Sequence, residues 1–305
     1  MKYLVTGANG FIGSKLLKLL SENGNSVIAI IRGKDSNIDN ITGIENVRFI
    51  YCNMDDIERI VDDLNGEQID CCIHLAWQGA NGDGRKNVEL QLKNVNNTIN
   101  LCYALSKLKI NRFVGVGTLA EIDANYYIPL DGATPNMTSA YGVSKLATYY
   151  MTKLVCTNLG IDHIWCRLSN LYGIGDKTNN FVNFAVRKML RNERAAFTSG
   201  EQLYDFVDIR DAVKGIYCVA ANGKKNSTYF VGSSNPKKLK DYIMQIRNTI
   251  DPQIEVFLGE VPFNGISLPP GEYSCEKTTL ETGYVPEYRF EDEISELVNW
   301  MKGMI

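Results

Sequence analysis

Three glycines spaced three residues apart, Gly7, Gly10 and Gly13, follow directly on a short apolar run, Tyr3-Leu4-Val5. A helical pattern begins at once after them. A buried strand, a glycine-rich turn and a helix in that order constrain the rest of the chain more than any other stretch, because this is the context in which a backbone cradles phosphates. Gly7 permits the tight turn, Gly10 lets the backbone approach a pyrophosphate, and Gly13 lets the helix pack close to the strand. The free N–H groups at the helix start then face the phosphates. Without a ligand the same residues make only a close strand–helix connection, so the remaining sequence must decide between the two.

The chain has 305 residues, enough for one large domain or a domain with a smaller appendage. Hydrophobic residues make up 45% and charged residues 22%, as in an ordinary globular protein. The net charge of −3 provides no global basic field of the kind nucleic-acid binders use. The N-terminal apolar stretch is too short for a signal peptide, and no run approaches bilayer length, so no membrane association is expected. The eight cysteines form no Cys-x-x-Cys pair, and several lie in strand-like runs such as Cys71-Cys72-Ile73, which suits reduced thiols in a core. The expected location is cytoplasmic.

The first half alternates strands and helices. Apolar spacing predicts helices over 11–23, 54–64 and 85–107, with buried strands over 26–31, 46–51, 70–75 and 112–117. Strands that are apolar throughout and separated by helices argue for a parallel sheet covered on both faces, doubly wound in the Rossmann manner. Beyond Asn170 the alternation weakens. Helices are expected over 181–191, 209–220, 235–250 and 291–301, with strands over 204–207 and 228–231 and a turn at Pro269-Pro270-Gly271. The chain therefore divides into a nucleotide-binding domain, 1–169, and a mixed, mostly substrate-binding part, 170–305, some of whose segments return to the first.

The second predicted strand ends Ile30-Ile31-Arg32, with no acid at its tip. An acid there holds the ribose hydroxyls of NAD and would repel a 2′-phosphate, whereas a guanidinium grips one. NADP(H) is thus favoured over NAD(H). Further on, Tyr141 and Lys145 stand four residues apart on one helical face. A phenol is a poor acid–base catalyst near neutrality, and a nearby ammonium would stabilise its phenolate. Thr118, at the end of the fifth strand, is placed to bond the reacting oxygen.

Taken in order, the motifs resemble those of the extended short-chain dehydrogenase/reductase family of nucleotide-sugar epimerases, dehydratases and reductases. They are Thr6-Gly-Ala-Asn-Gly-Phe-Ile-Gly13, His74-Leu-Ala76, Asn94-Val-Asn96, Tyr141-x-x-x-Lys145, Arg167-Leu-Ser-Asn170-Leu-Tyr-Gly173 and Tyr204-Asp-Phe-Val-Asp-Ile-Arg-Asp211. The glycine spacing differs from the Gly-x-Gly-x-x-Gly of ordinary dehydrogenases. The resemblance implies that Gly7, Asn9, Gly10, Phe11, Ile12 and Gly13 line the pyrophosphate. It places Asn53 and Met54 at adenine, Leu75 and Ala76 along the nicotinamide side, Leu168 in the cofactor site, and Asn96 as a buttress of the loops. Lys145 would bind the nicotinamide ribose as well as tune Tyr141. Asn170 would face the sugar nucleotide, with Trp77, in a glycine-rich loop, closing over the sugar.

Departures from that pattern bear on the reaction. Dehydratases of the family carry Asp and Glu after the catalytic Thr, but here Leu119 and Ala120 follow Thr118, and Glu121 comes one position too late. Two Arg anchors of the nucleotide are replaced by Tyr204 and Pro269, so Arg187, Lys188, Arg191 or Arg194 is left to meet the diphosphate, with a solvated basic helix face the expectation for most of them. The reading that results is an NADPH-dependent reductase of a nucleotide-linked 4-keto-6-deoxy sugar. A 4-epimerase with retained cofactor is the alternative, and a non-catalytic NADP-binding regulator the second. Helices 85–107 and the one bearing Tyr141 resemble the pair through which family members dimerise, so a homodimer is expected.

Overall fold

A computed structural model describes residues 1–304. In chain order its elements are β1 (Lys2–Thr6), α1 (Phe11–Glu22), β2 (Ser26–Ile31), β3 (Val47–Tyr51), α2 (Ile60–Asp63), β4 (Cys71–His74), α3 (Val88–Lys107), β5 (Arg112–Thr118), α4 (Ala120–Tyr127), α5 (Ser139–Leu159) and β6 (Asp162–Leu168). They continue through β7 (Asn170–Tyr172), α6 (Phe181–Leu190), β8 (Leu203–Tyr204), β9 (Phe206–Asp208), α7 (Ile209–Asn222) and β10 (Ser227–Val231). β11 (Lys237–Lys238), α8 (Leu239–Ile250), α9 (Glu276–Thr282) and α10 (Phe290–Lys302) close the chain.

Seven parallel strands form the central sheet in the order β10-β6-β5-β4-β1-β2-β3. This is the doubly wound Rossmann arrangement, and it reverses direction between β1 and β4. The strands are apolar on both faces because both are buried. Tyr3 and Val5 of β1 pack with Leu16, Leu17 and Leu20 of α1 and with α7, while Leu4 packs on the other side with α3 and α5. A separate core joins α6, α8 and α10 around Tyr172, Phe206, Tyr242 and Phe290.

Several predicted boundaries shift for local reasons. The strand expected from residue 46 starts at Val47, since Asn46 is left-handed. The long helix begins at Val88 rather than Arg85, because Asn87 caps it by accepting the Leu90 N–H at 3.0 Å. The single strand expected over 204–207 is two, β8 and β9, broken at Asp205. The helix expected from 235 starts at Leu239, after β11. Strand β6 and helix α4 lay outside the predicted elements.

Candidate active site

The strand carboxyl ends on either side of the β1/β4 reversal border three cavities, of about 350, 440 and 320 Å³. The first holds Arg32, Asn53 and Met54, expected on the adenosine side, together with Asn9, expected at the pyrophosphate, and Ala76, expected on the nicotinamide side. The second contains Phe11, Ile12, Gly13, Thr118, Tyr141, Lys145 and Leu168. Gly7, Gly10, Leu75 and Trp77 border both, which gives one route from the tip of β2 to Tyr141. The third cavity meets the second at Arg85, Thr118 and Asn170 and runs outward past Asp123 and Tyr204.

The glycine turn is built as a phosphate cradle requires. Gly7 has φ +67°, and a Cβ on it would lie 2.8 Å from the Ala76 nitrogen. On Gly13 a Cβ would lie 2.3 Å from the Gly7 carbonyl oxygen, so only glycine lets α1 close onto the turn. The start of α1 has no side-chain cap, leaving its first N–H groups to a ligand. Asn9 ties the neighbouring loop to the turn, donating to the Asn37 carbonyl at 3.0 Å. Arg32 is exposed at the cavity rim, and none of the described carboxylates forms an ion pair with it.

Thr6 fixes the end of β4 beneath this cradle. Its hydroxyl accepts the Leu75 and Ala76 N–H groups, both at 3.2 Å, and bonds His74 Nδ1 at 2.8 Å. Burial, reinforced by the nearby Lys145 charge, pushes His74 down to about 3, so the imidazole is neutral.

Tyr141 and Lys145 project from the first two turns of α5, where Gly142 lies so close to α4 that a Cβ would meet the Ala120 carbonyl oxygen at 2.4 Å. Lys145 Nζ donates to the Val116 carbonyl at 2.9 Å and lies 4.1 Å from the centre of the Trp77 ring. Burial lowers Lys145 to about 8, although Glu121 opposes the shift. Tyr141 is raised above its ordinary value by burial, while Arg85 and the Thr118 hydroxyl pull it back. The ammonium of Lys145 thus faces an indole and a carbonyl, and the cation stacked on the phenol is Arg85, at 4.5 Å from the ring centre.

Three placements differ from expectation. Asn96 is exposed on α3, and Asn94 holds the loop after β4, accepting the Gln78 N–H and donating to its carbonyl, both at 2.9 Å. One helical turn earlier, Gln91 bonds Trp77 Nε1 at 2.8 Å. Trp77 therefore packs edge-on against Tyr141 between the two cofactor-side cavities, away from the outer cavity. Arg187 donates to Asn179 Oδ1 at 2.6 Å and lines none of the three cavities; Lys188 and Arg191 pair with Glu193, and Arg194 with Glu260. A basic helix face is solvated here because its partners are its own neighbours.

Two residues of the outer cavity had no distinguishing signal in the sequence. Arg85 read as the start of a helix, and Asp123 lay beyond the position where a dehydratase acid was sought. Asp123 is open to the cavity, and desolvation by the surrounding protein raises its carboxyl to about 6, with Arg85 opposing the shift. Glu121, by contrast, has no accessible surface and bonds Thr118 N, Trp165 Nε1 and Arg167 Nε at 2.8–2.9 Å. The acids of the last motif are structural as well. Asp205 accepts from the Ser233 N–H, Asp208 caps α7, and Asp211 accepts the Glu287 and Tyr288 N–H groups.

With this geometry in view, likenesses to known proteins fall into place. The family model described as the NAD dependent epimerase/dehydratase family matches residues 3–232. CDP-abequose synthase of Salmonella typhimurium is 28% identical over 257 residues, covering 82% of this chain and 81% of the relative. A putative UDP-glucose 4-epimerase of Methanocaldococcus jannaschii is 29% identical over 98% of both chains. The dTDP-6-deoxy-L-talose 4-dehydrogenase (NAD(+)) of Aggregatibacter actinomycetemcomitans is 29% identical over 84% of this chain and 95% of its own. In fold, the Bordetella bronchiseptica enzyme WbmF in complex with NADH superposes with a TM-score of 0.80 at 21% identity, covering 99% of this chain and 92% of that one. Matched motifs, Rossmann sheet and family model agree: the chain belongs to the NAD-dependent epimerase/dehydratase family, the nucleotide-sugar branch of the extended short-chain dehydrogenases, and is an enzyme of that oxidoreductase type.

Proposed function

We propose that this enzyme is an NADPH-dependent reductase of a nucleotide-linked 4-keto-6-deoxy sugar. The observation that carries the reading is that the cofactor-side cavity, which holds Tyr141, meets the outer cavity at Thr118, where Glu121, the carboxylate bonded to the Thr118 N–H, is already occupied. Elimination needs both an acid and a base there; Leu119 and Ala120 follow Thr118, Glu121 is locked by three hydrogen bonds, and Asp123 is left, among the described residues, as the single free carboxylate of the outer cavity. Ketone reduction needs a single proton donor.

In this reading the bound dinucleotide supplies the hydride to the ketone carbon. The glycine turn and the start of α1 hold its pyrophosphate, and Arg32 meets the 2′-phosphate. Lys145, bonded to the Val116 carbonyl in this structure, would hold the ribose. Thr118 orients the sugar oxygen, Tyr141 gives it a proton, and Asn170 faces the substrate. The division into a cofactor-holding part, 1–169, and a mostly substrate-holding part, 170–305, belongs to the same proposal.

The unpaired Arg32 supports NADPH, and the name of the Aggregatibacter relative places redox chemistry at carbon 4 of a 6-deoxy sugar. The full-length likeness to a putative 4-epimerase favours a second reading, epimerisation with retained cofactor. Incubation with NADPH and CDP- or dTDP-linked 4-keto-6-deoxyhexoses separates them. A reductase oxidises one NADPH per product, whereas interconversion of 4-epimers without net NADPH oxidation would establish the epimerase.

A cytoplasmic homodimer completes the proposal. All eight cysteines are free thiols, and no described helix is long and apolar enough to cross a membrane. The exposed faces of α3 and α5 carry Leu92, Tyr103, Tyr150, Met151 and Leu154, an apolar surface suited to a second copy.

A further inference from the structure

The cation expected beside the catalytic phenol was Lys145, but the side chain that lies across it is Arg85. Its guanidinium carbon is 4.5 Å from the centre of the Tyr141 ring. Its Nε is buried and has no hydrogen-bond partner, and none of the described carboxylates forms an ion pair with it. An unpartnered guanidinium nitrogen in such a place is costly unless something in the cavity completes it. Arg85 is also one of the few residues bordering both the cofactor-side and outer cavities.

The segment that delivers Arg85 is firmly held. Gln91 Nε2 donates to the carbonyls of Gly79 and Gly84, both at 2.9 Å, and Asn87 caps α3 two residues after Arg85. The guanidinium is therefore presented to Tyr141 from a stapled turn. Lys145, in contrast, is directed to the Val116 carbonyl and the Trp77 indole. The other titratable groups around the site are Glu121 and Asp123 on α4 and Tyr204 on β8; Glu121, paired with Arg167, opposes the cation by raising the phenol. Burial lowers Lys145 to about 8, whereas a guanidinium stays charged throughout the working range.

We propose that Arg85 is the positioning residue of the proton-donor site: its guanidinium lies across the Tyr141 ring, holds the phenol toward Thr118, and supplies the positive charge against which a Tyr141 phenolate forms. Cation–π stacking fixes the ring, and the charge acts through the short gap between them. In a ketone reduction the phenol gives its proton to the sugar oxygen and is left as phenolate, so a fixed cation favours that step. The inference rests on Tyr141 being the proton donor.

The test is a tyrosinate absorbance titration of the full-length protein, with the Tyr141 transition taken as the difference between each protein and its Tyr141→Phe counterpart. Arg85→Gln should move that transition upward by about one pH unit, and Arg85→Lys should keep most of the wild-type position. Arg85→Met, which retains the packing stem, replaces the Gln variant if that one is unstable. In ketosugar reduction by Arg85→Gln, kcat should fall more than KM changes, and its high-pH limb should move up with the phenol. An unmoved Tyr141 transition in both the Gln and the Met variants overturns the proposal. Undiminished reduction by Tyr141→Phe instead overturns the donor assignment, and the titration still judges the Arg85–Tyr141 coupling by itself.

Discussion

The Glu121 carboxylate accepts the Thr118 backbone N–H at 2.8 Å, and its other oxygen takes both Trp165 Nε1 and Arg167 Nε. A fully buried acid thus fixes the main chain of Thr118, the residue proposed to orient the substrate oxygen. It is a structural partner of Thr118 and moves no proton.

Glu121→Ala would leave the Thr118 N–H, the indole N–H and a largely buried guanidinium without their acceptor. Breaking a buried pair by removing one side costs about 3–5 kcal/mol. Urea unfolding should register a loss of that order, and a change below about 1 kcal/mol would mean the pair carries no structural weight.

Arg32 sets the cofactor preference if it meets the 2′-phosphate. Loss of a charge-assisted pair of this kind is worth about 1.5–3 kcal/mol, so Arg32→Ala should weaken NADPH binding about tenfold or more. NADH binding should hardly change. Equal losses for both dinucleotides in a fluorescence titration would remove the guanidinium from the 2′ position.

Both histidines are kept neutral, His74 lowered to about 3 and His163 to about 4, mainly by burial. The unfolded chain protonates them near pH 6.5, so protons favour unfolding and stability falls as pH drops from about 6.5 toward these values. At pH 5 each contributes a loss of up to about 2 kcal/mol. Thermal unfolding of His163→Gln should depend less steeply on pH over this window than the wild type. Identical slopes would contradict the burial of a neutral ring.

Much of the fold was legible because its strands are buried on both faces. β1, β2, β4 and β5 read as short apolar runs between helices, and Gly7, Gly10 and Gly13 marked the crossing point. β6 was harder, since Arg167 and His163 interrupt its apolar run although both are satisfied in place, by Glu121 and by Thr152 Oγ1 at 3.0 Å. The Tyr141–Lys145 spacing puts both side chains at one cavity, but the cation stacked on the phenol is Arg85. Helical spacing puts the two side chains on one face, yet it cannot say that a loop more than fifty residues upstream inserts Trp77 and Arg85 beside them. Asn94 and Asn96 show the same limit: the motif was visible, but only the helix phase decided which asparagine faces inward.

The apolar faces of α3 and α5 predict self-association. Leu154, 68% exposed in the single chain, stands in that patch. Leu154→Asp should convert a dimer to a monomer in sedimentation velocity, with the fold retained by circular dichroism. A wild type that sediments as a monomer at micromolar concentration would refute the dimer.

The central claim is that Tyr141 delivers the proton in an NADPH-driven ketone reduction. The most direct measurement is the rate of NADPH oxidation by Tyr141→Phe with a nucleotide-linked 4-keto-6-deoxyhexose, beside its NADPH dissociation constant. Removal of a general acid should lower turnover about 10²–10⁴-fold while binding changes less than about threefold. Turnover within about twofold of wild type would contradict it.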